Sequence, residues 1–378
     1  LLGLGAVAAQ AWLRPGIPWG HDVTHHAWAL WSLWRCVLDG DWFPRWNPYL
    51  SLGIPLLQFY APLPYLLAWP AQALGASPAA ALAWLMVLGQ AGSALSLYLC
   101  VRWCRGSVAA GLLAGLAVCL APYHSMDQTF RIALGETMAF PLIAPPLVAA
   151  YKLARGERDA VAPWVLGGCA VALLLTHILT LIMVVAVGTG LVIAGLLSRR
   201  DAAERGRRGA VLSLAVTTAL AVGACSAWWL PVATEVQHTA VAHISRPGAA
   251  ISPFAALADE PVRRRLWPRY DVRRRIGEVK DPGVGMPMYF GCGLAALLLL
   301  GLAAPRTKEV EARPRPWAIA GLVALLLAIW PLAMALDGAP IIGRIMFPWR
   351  LYAPATVLAS LAGGLALDVW CAGGSART

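Results

Sequence analysis

The chain has 378 residues, of which 59% are hydrophobic and only 13% are charged, and its mean hydropathy is +0.65. A soluble domain carries roughly 25% charged residues, and one soluble core of this length cannot bury so much apolar surface, whereas lipid accepts it. The net charge of +11 indicates basic flanks that set the topology and contact anionic lipid, not a nucleic-acid partner.

The apolar segments, taken in chain order, predict an all-α membrane protein. The first segment, residues 1–13, is shorter than the roughly 17–25 residues that a spanning helix needs. We therefore expect the natural chain to extend beyond this N-terminus, and its extension beyond the C-terminus stays open. Full-length segments follow at residues 79–101, 107–122, 134–153, 160–175, 178–197, 209–230, 288–304, 317–336 and 351–371. We predict one transmembrane domain over residues 1–378, with about ten spans.

The basic loops predict which ends of the spans face the cytoplasm. Short loops rich in Lys and Arg lie on the cytoplasmic side of a membrane, and here they occur at residues 102–105, 152–158, 199–208 and 306–315. This places residues 14–79, the first outer loop, on the other side. It also places the loop 231–287 there, although that loop carries nine basic residues and opposes the rule. All seven histidines then face outward.

The topology depends on one further apolar stretch, residues 58–75. If it crossed the bilayer, the loop at residues 102–105 would move to the outer side. Pro62, Pro64 and Pro70 interrupt it, and proline breaks the backbone hydrogen bonding of a helix. We therefore predict a broken helix at the membrane interface. For the whole chain we predict a multi-pass protein of the bacterial inner membrane, with its site on the outer side.

The first outer loop carries the most pronounced polar pattern. On a helix, Asp22, His25 and His26 share one face, because positions i, i+3 and i+4 stack. The apolar stripe of the same helix consists of Ala27, Trp31, Trp34 and Leu38, which predicts a helix on the membrane surface. Asp22 is either a general base, with the two histidines as partners or as ligands of a divalent Mg or Mn ion, or a simple N-cap.

Other polar side chains occur at the outer ends of later spans. Glu136 lies inside an apolar run and should be paired or line a polar cavity, with Arg131 as its candidate partner and Asp127 close by in sequence. His177 interrupts a run too long for one span and is a cap or a catalytic group. Arg350 precedes the last span and contacts either lipid headgroups or a phosphate.

Aromatic and proline-rich motifs complete the pattern. Their order along the chain is Trp46-Asn47-Pro48, Gly53-Ile54-Pro55, Phe59-Tyr60-Ala61-Pro62-Leu63-Pro64-Tyr65, Arg131-Ile132-Ala133-Leu134-Gly135-Glu136, Leu175-Thr176-His177, Trp228-Trp229-Leu230-Pro231 and Phe347-Pro348-Trp349-Arg350. The aromatic residues of the first loop line a sugar site or form an interfacial belt. With the acidic residue of the first outer loop, this order resembles the bacterial membrane family labelled "6-pyruvoyl-tetrahydropterin synthase-related". More distantly it resembles the YfhO-like family, and both are similar to GT-C glycosyltransferases.

The resemblance implies a GT-C-like bundle with outer surface helices, and it also implies an enzymatic reaction. GT-C enzymes transfer a sugar from a polyprenyl-phosphate carrier on the extracytoplasmic face, and a carboxylate of the first outer loop deprotonates the acceptor. On this chain that carboxylate corresponds to Asp22. The resemblance further implies a donor cavity lined by Arg131, Glu136, His177 and Arg350. Asp127 is the only obvious second acidic residue. The substrate-binding candidates are His25, His26, Asp127, Arg131, Glu136, His177 and Arg350.

Two other classes of protein fit the same sequence. A transporter or flippase for lipid-linked saccharides would share the basic outer surface, but its ionisable residues should spread through the midplane of several spans. A non-catalytic scaffold for envelope assembly would need neither the outward histidines nor the carboxylates.

Overall fold

The computed structural model describes residues 3, 5, 8–14, 16, 18, 20–49, 52–197, 204–235, 290–305, 313–328 and 348–375. Most of the predicted basic loop lies outside the described residues, including His238, His243 and the arginines of residues 263–275. The ends of several predicted spans lie outside them as well.

The described chain is helical, as the composition predicts, apart from one antiparallel bridge between Asn47 and Ile54. The α-helices of five or more residues in the first half are α1 (Val23–Leu38), α2 (Leu63–Ala73), α3 (Pro78–Trp103), α4 (Val108–Cys119), α5 (Pro122–Met126), α6 (Leu134–Ala139), α7 (Ala144–Ala154) and α8 (Ala162–Thr176). Those of the second half are α9 (Ile178–Leu197), α10 (Glu204–Ala224), α11 (Ser226–Glu235), α12 (Cys292–Ala303), α13 (Pro314–Ala328) and α14 (Tyr352–Ser375).

Several of these helices are long and apolar enough to cross a membrane. Four qualify by length and composition among the described residues: Pro78–Trp103, Leu134–Ala154, Ile178–Leu197 and Tyr352–Ala372. Two bent pairs raise the number to six if each is counted as one span: Val108–Cys119 continues into Pro122–Arg131 through a 44° bend, and Val211–Ala224 continues into Ser226–Glu235 through a 74° bend. Helices α8, α12 and α13 are apolar but shorter. The chain therefore has the helices of a multi-pass membrane protein.

The longest helix of the proline-rich stretch 58–75 is α2, which has 11 residues. A helix of this length rises about 16 Å, roughly half of the ~30 Å hydrocarbon core. Pro62 precedes it and Pro70 lies inside it. The prolines therefore bound and interrupt the helix of this stretch, as the sequence predicts, while its position at the interface stays a prediction.

The last helix, α14, is the centre of the larger core, where it packs against α4, α12 and α13. Small residues let these helices approach closely, as is usual inside membranes. A Cβ atom built on Gly364 would lie 2.6 Å from the Ala110 carbonyl oxygen, and one on Gly301 would lie 3.0 Å from the Ala362 Cβ. The buried part of α14 is mostly alanine, leucine and valine.

A second core holds the first outer loop against the bundle. Leu30 and Leu33 of α1 and Leu82 and Leu85 of α3 are all buried in it. The Trp12 indole reaches the same region, because its Nε1 donates to the Gln128 carbonyl at 3.2 Å. This packing fixes the N-terminal end of α1 beside residues 127–136.

Candidate functional site

Two backbone hydrogen bonds position Asp22. The His21 amide donates to the Phe130 carbonyl and the Asp22 amide donates to the Arg131 carbonyl, both at 2.9 Å. Asp22 is the residue before α1, but its side chain makes no capping hydrogen bond to the helix backbone. Its Oδ1 instead accepts a hydrogen bond from the His21 ring Nδ1 at 3.0 Å. The Asp22 side chain is 37% exposed. It therefore does not act as an N-cap, and its carboxylate is accessible.

Directly beside this loop lies a buried network of charges. The Arg131 Nη1 donates to the Asp127 Oδ1 and, at 2.9 Å, to the Glu136 Oε2. The Tyr123 hydroxyl donates to the other Glu136 oxygen at 2.5 Å. All four side chains are buried, so Glu136 is paired, as an ionisable group at membrane depth must be.

The break between α5 and α6 explains how residues five positions apart can pair. Residues Asp127–Arg131 form a π-helical turn, and Ile132 adopts a left-handed conformation with φ 58° and ψ 47°. Helix α6 then starts at Leu134. Arg131 and Glu136 therefore lie on different segments, and Asp127 pairs with Arg131 four positions further along the chain.

His177 lies next to this network, at the sharp connection between α8 and α9. Its backbone is extended, with φ −159° and ψ 98°, and its Nδ1 shares a hydrogen bond with the Thr180 Oγ1 at 2.7 Å. A Cβ atom built on Gly135 would lie 3.4 Å from the His177 Cδ2. The predicted turn is therefore present, and the ring lies against the segment that carries Glu136.

Arg350 approaches the same centre from the other end of the chain. It belongs to a short 3-10 helix, Pro348–Leu351, that leads directly into α14. It interacts electrostatically with Glu136, with His177 and with the Tyr60 hydroxyl. The structure thus brings Arg350, His177, Glu136 and Arg131 into one region, although 219 positions separate Arg131 from Arg350 in the sequence.

The two histidines of α1 contact tyrosines of the proline-rich segment. His26 is buried and its Nδ1 shares a hydrogen bond with the Tyr65 hydroxyl at 3.0 Å. The His25 ring lies 4.6 Å from the Tyr60 ring, centroid to centroid. The cluster of His25, His26, Tyr60 and Tyr65 forms an aromatic wall next to Asp22.

Burial controls the protonation of this wall. It lowers the pKa of His26 to about 3, with the neighbouring His25 as a smaller cause, and it lowers the pKa of His25 against the opposing effect of Asp22. Burial also raises the pKa of the Tyr60 hydroxyl, to which the Asp22 carboxylate adds and which Arg350 opposes. At neutral pH the wall is therefore uncharged, while Asp22 and Arg350 interact electrostatically with the same tyrosine.

The structure does not gather the predicted metal ligands into a metal site. Among the described residues, which include Asp22, His25 and His26, no group of three or more His, Cys, Asp or Glu side chains could hold a metal ion. His26 is turned toward Tyr65 and Asp22 toward His21. The described residues of this region present an accessible carboxylate, an aromatic wall and a cationic group.

The motifs that contain Asn47 and Trp228 have structural roles that the sequence did not predict. Asn47 is buried and its amide donates to the Ser32 hydroxyl at 2.8 Å, while its backbone pairs with Ile54. The Trp228 indole donates to the Leu57 carbonyl at 2.6 Å. Asn47 therefore fixes the conformation of this loop.

Sequence reasoning missed three tyrosines of the site: Tyr60, Tyr65 and Tyr123. Tyr60 and Tyr65 stand in a motif that was noted for its aromatic content, but nothing in the sequence pairs them with the histidines of α1. Neither protein-family models nor curated protein sequences match this chain.

Proposed function

We propose that this protein is a membrane glycosyltransferase that moves a sugar from a polyprenyl-phosphate carrier to an acceptor on the extracytoplasmic face. The observation that carries the proposal is the attachment of Asp22 to the Arg131 backbone. It sets an accessible carboxylate beside a region to which Arg350 and His177 also contribute. A base and a cation in one place are what this transfer requires.

In this proposal Asp22 is the general base. Its carboxylate takes the proton from the acceptor hydroxyl while the acceptor oxygen forms a bond to the anomeric carbon of the sugar. The bond between that carbon and the phosphate oxygen breaks, and the electron pair leaves with the polyprenyl phosphate. A single base and a direct attack predict inversion of the anomeric configuration.

Arg350 is the better candidate for the donor phosphate, since Arg131 already binds two carboxylates. A planar guanidinium can hold two phosphate oxygens at once, and the positive charge stabilises the leaving group as negative charge develops on it. Arg131 then positions Asp22, because its backbone carbonyl accepts a hydrogen bond from the Asp22 amide. The wall formed by His25 and Tyr60 would give the sugar an aromatic surface.

The proposal includes ten crossings and an outward site. Helices α8, α12 and α13 would cross together with the six longer candidates, and the N-terminal segment would complete the set. The described part of that segment supports this, because a Cβ atom built on Gly5 would lie 2.6 Å from the Ala91 Cα of α3.

The test is the variant Asp22→Asn in membranes loaded with labelled lipid-linked sugars. We expect the transfer of label to the acceptor fraction to fall by about 10²–10⁴-fold, which is the usual contribution of a general base. Protein level in the same membranes is measured by immunoblotting, so that loss of the protein is recognised.

Asp41→Asn is the matched control. Asp41 is exposed in the same loop, and its Oδ1 accepts a hydrogen bond from the Phe43 amide at 3.2 Å. The amide oxygen of asparagine can keep this bond, so this variant should retain transfer. Full transfer by Asp22→Asn would show that Asp22 is not the base.

The buried carboxylates favour one alternative, a transporter of lipid-linked saccharides. Charged groups inside a bundle often mark a transport pathway, and Asp127, Arg131 and Glu136 are such groups. A transporter would expose the labelled saccharide on the outer face while it stayed attached to its carrier. This exposure, followed with an added glycosidase, would survive in Asp22→Asn.

A further inference from the structure

A polar cavity of about 550 Å³ lies at the opposite end of the bundle from Asp22 and Glu136. Glu136 is near the start of the span Leu134–Ala154, and Lys152 is near its end. Sixteen residues of helix separate the two by about 24 Å. The proposed transfer site therefore makes no use of this cavity.

Four segments of the chain form its walls. The cavity is bounded by the end of α3, the end of α7, the turn before α8 and the residues that begin α13. The Tyr151 and Trp317 rings meet edge to face at 5.0 Å, and the Lys152 Nζ lies 5.7 Å from the centroid of the Trp103 ring. These contacts make a preformed aromatic base.

The two acidic side chains of the cavity are occupied by structural bonds. Asp159 accepts hydrogen bonds from the Trp103 indole at 2.7 Å and from the backbone amides of Val161 and Ala162 at the start of α8. It also pairs with Lys152 at 3.4 Å, and Glu157 pairs with Lys152 at 2.9 Å and with Arg155 at 3.2 Å.

The cationic side chains outnumber these acids. Five line the cavity, against two carboxylates: Arg105, Lys152, Arg155, Arg158 and Arg313. Lys152 and Arg155 neutralise the two acids. Arg158 and Arg313 are exposed at the rim, and Arg313 interacts electrostatically with Tyr151 at the base. The rim therefore carries excess positive charge.

We propose that this cavity binds a phosphate group. Guanidinium groups bind phosphate oxygens through paired N–H donors, and the aromatic base would contact the glycerol or sugar portion next to the phosphate. Two sources have this chemistry: the headgroup of an anionic phospholipid in the adjacent leaflet, and a soluble phosphate compound. In this proposal the short basic loops at this end set the topology and also bind phosphate.

The experiment uses the full chain with two probes. In the lipid arm, the protein is purified in mixed micelles of phosphatidylglycerol and phosphatidylcholine, and retained lipids are counted by native mass spectrometry. In the soluble arm, pyrophosphate is titrated into the protein in a neutral detergent, and binding is followed by phosphorus NMR. For the double variant Arg158→Gln/Arg313→Gln we expect binding to weaken roughly tenfold in one arm or both, because each basic side chain near a phosphate contributes to affinity.

The matched control is Arg14→Gln/Arg45→Gln, which removes the same charge from exposed positions of the first loop. It should leave binding in both arms unchanged. Loss of phosphatidylglycerol alone assigns the site to lipid, and loss of pyrophosphate alone assigns it to a soluble phosphate. Equal binding by wild type and the double variant in both arms would overturn the proposal, as would an equal loss in the control. The two single variants repeat the test if the double variant does not fold.

Discussion

Arg131 is buried between two carboxylates inside the helical bundle. Breaking a buried ion pair by removing one partner typically destabilises a protein by about 3–5 kcal/mol, since it leaves an uncompensated charge. Without Arg131, the carboxylates of Asp127 and Glu136 would both be buried without the cation that compensates them. The network is therefore a single unit whose members depend on one another.

We predict that Arg131→Met destabilises the protein by about 3–5 kcal/mol. The triple variant Asp127→Asn/Arg131→Met/Glu136→Gln removes the charges together and should recover much of that loss. Thermal unfolding of the purified chain in detergent measures both variants. If the triple variant unfolds at the same temperature as Arg131→Met, the charges are not the reason for the destabilisation.

His26 makes the stability depend on pH. Its pKa is about 3 in the folded protein against an ordinary value of 6.5, so below pH 6.5 the unfolded chain binds a proton that the folded chain excludes. Stability from this residue is therefore complete above pH 6.5 and falls as the pH drops toward 3. From pH 7.5 to pH 5 we predict a loss of about 2 kcal/mol.

The measurement compares unfolding temperatures at both pH values. His26→Gln cannot take up this proton, so its unfolding temperature should change less between the two pH values than that of wild type. The exposed Thr24 of the same helix provides the control, because Thr24→Ala removes no titratable group and should leave the difference as it is in wild type. An unaltered pH dependence in His26→Gln would contradict the prediction.

At the level of secondary structure, α1 follows its sequence pattern only in part. The predicted apolar stripe faces outward, with Trp31 41% exposed and Leu38 59% exposed, as a surface helix in lipid requires. A neighbouring face is also apolar, and its Leu30 and Leu33 pack into the core. A helix with two apolar faces has no single stripe, so the sequence could not say which face meets the protein.

The close approach of α14 and α4 depends on Gly364. A Cβ atom there would lie 2.6 Å from the Ala110 carbonyl oxygen, which belongs to the helix backbone and cannot move alone. We predict that Gly364→Ala destabilises the protein by about 1–3 kcal/mol, as overpacking commonly does. Thermal unfolding in detergent is the measurement.

Gly190→Ala serves as the control for that substitution. Gly190 lies in α9, and a Cβ atom built there would meet nothing within 4 Å. This change should be neutral or stabilise by up to about 1 kcal/mol, through helix propensity. If both alanine variants behave alike, packing at Gly364 is not tight.

At the level of the whole molecule, the topology depends on how often the chain crosses between the first loop and the turn before α8. Three candidate spans lie between Arg45 and Ala160: Pro78–Trp103, the bent pair Val108–Cys119 with Pro122–Arg131, and Leu134–Ala154. An odd number of crossings puts the two residues on opposite sides. If residues 58–75 also crossed, they would be on the same side.

We predict that a membrane-impermeant maleimide labels Arg45→Cys in intact cells and labels Ala160→Cys only after the membrane is permeabilised. Both residues are exposed, so the reagent can reach them. Cys292 and Cys371 are exposed as well, so both variants are made in a background that has serine at these positions. Equal labelling of both variants in intact cells would contradict an odd number of crossings, either because residues 58–75 span the bilayer or because the bent pair is a re-entrant loop.

The sequence by itself determined that the chain is helical and apolar enough for a membrane, and it placed most helix boundaries within a few residues. Composition and run length carry that information, because every spanning backbone must satisfy its hydrogen bonds within a helix. The sequence also predicted candidate site residues, among them Asp22, Arg131, Glu136, His177 and Arg350. It did not determine which of them touch.

The tertiary structure decided those contacts. Arg131 pairs with Glu136 because the helix breaks at Ile132, and five-residue spacing on a continuous helix would have kept them apart. Asp22 joins them through the Arg131 backbone carbonyl, a contact that no side-chain pattern reveals. Arg350 reaches the same centre because α14 packs through the middle of the bundle. Such contacts depend on how helices pack across long sequence separations, and local periodicity does not record them.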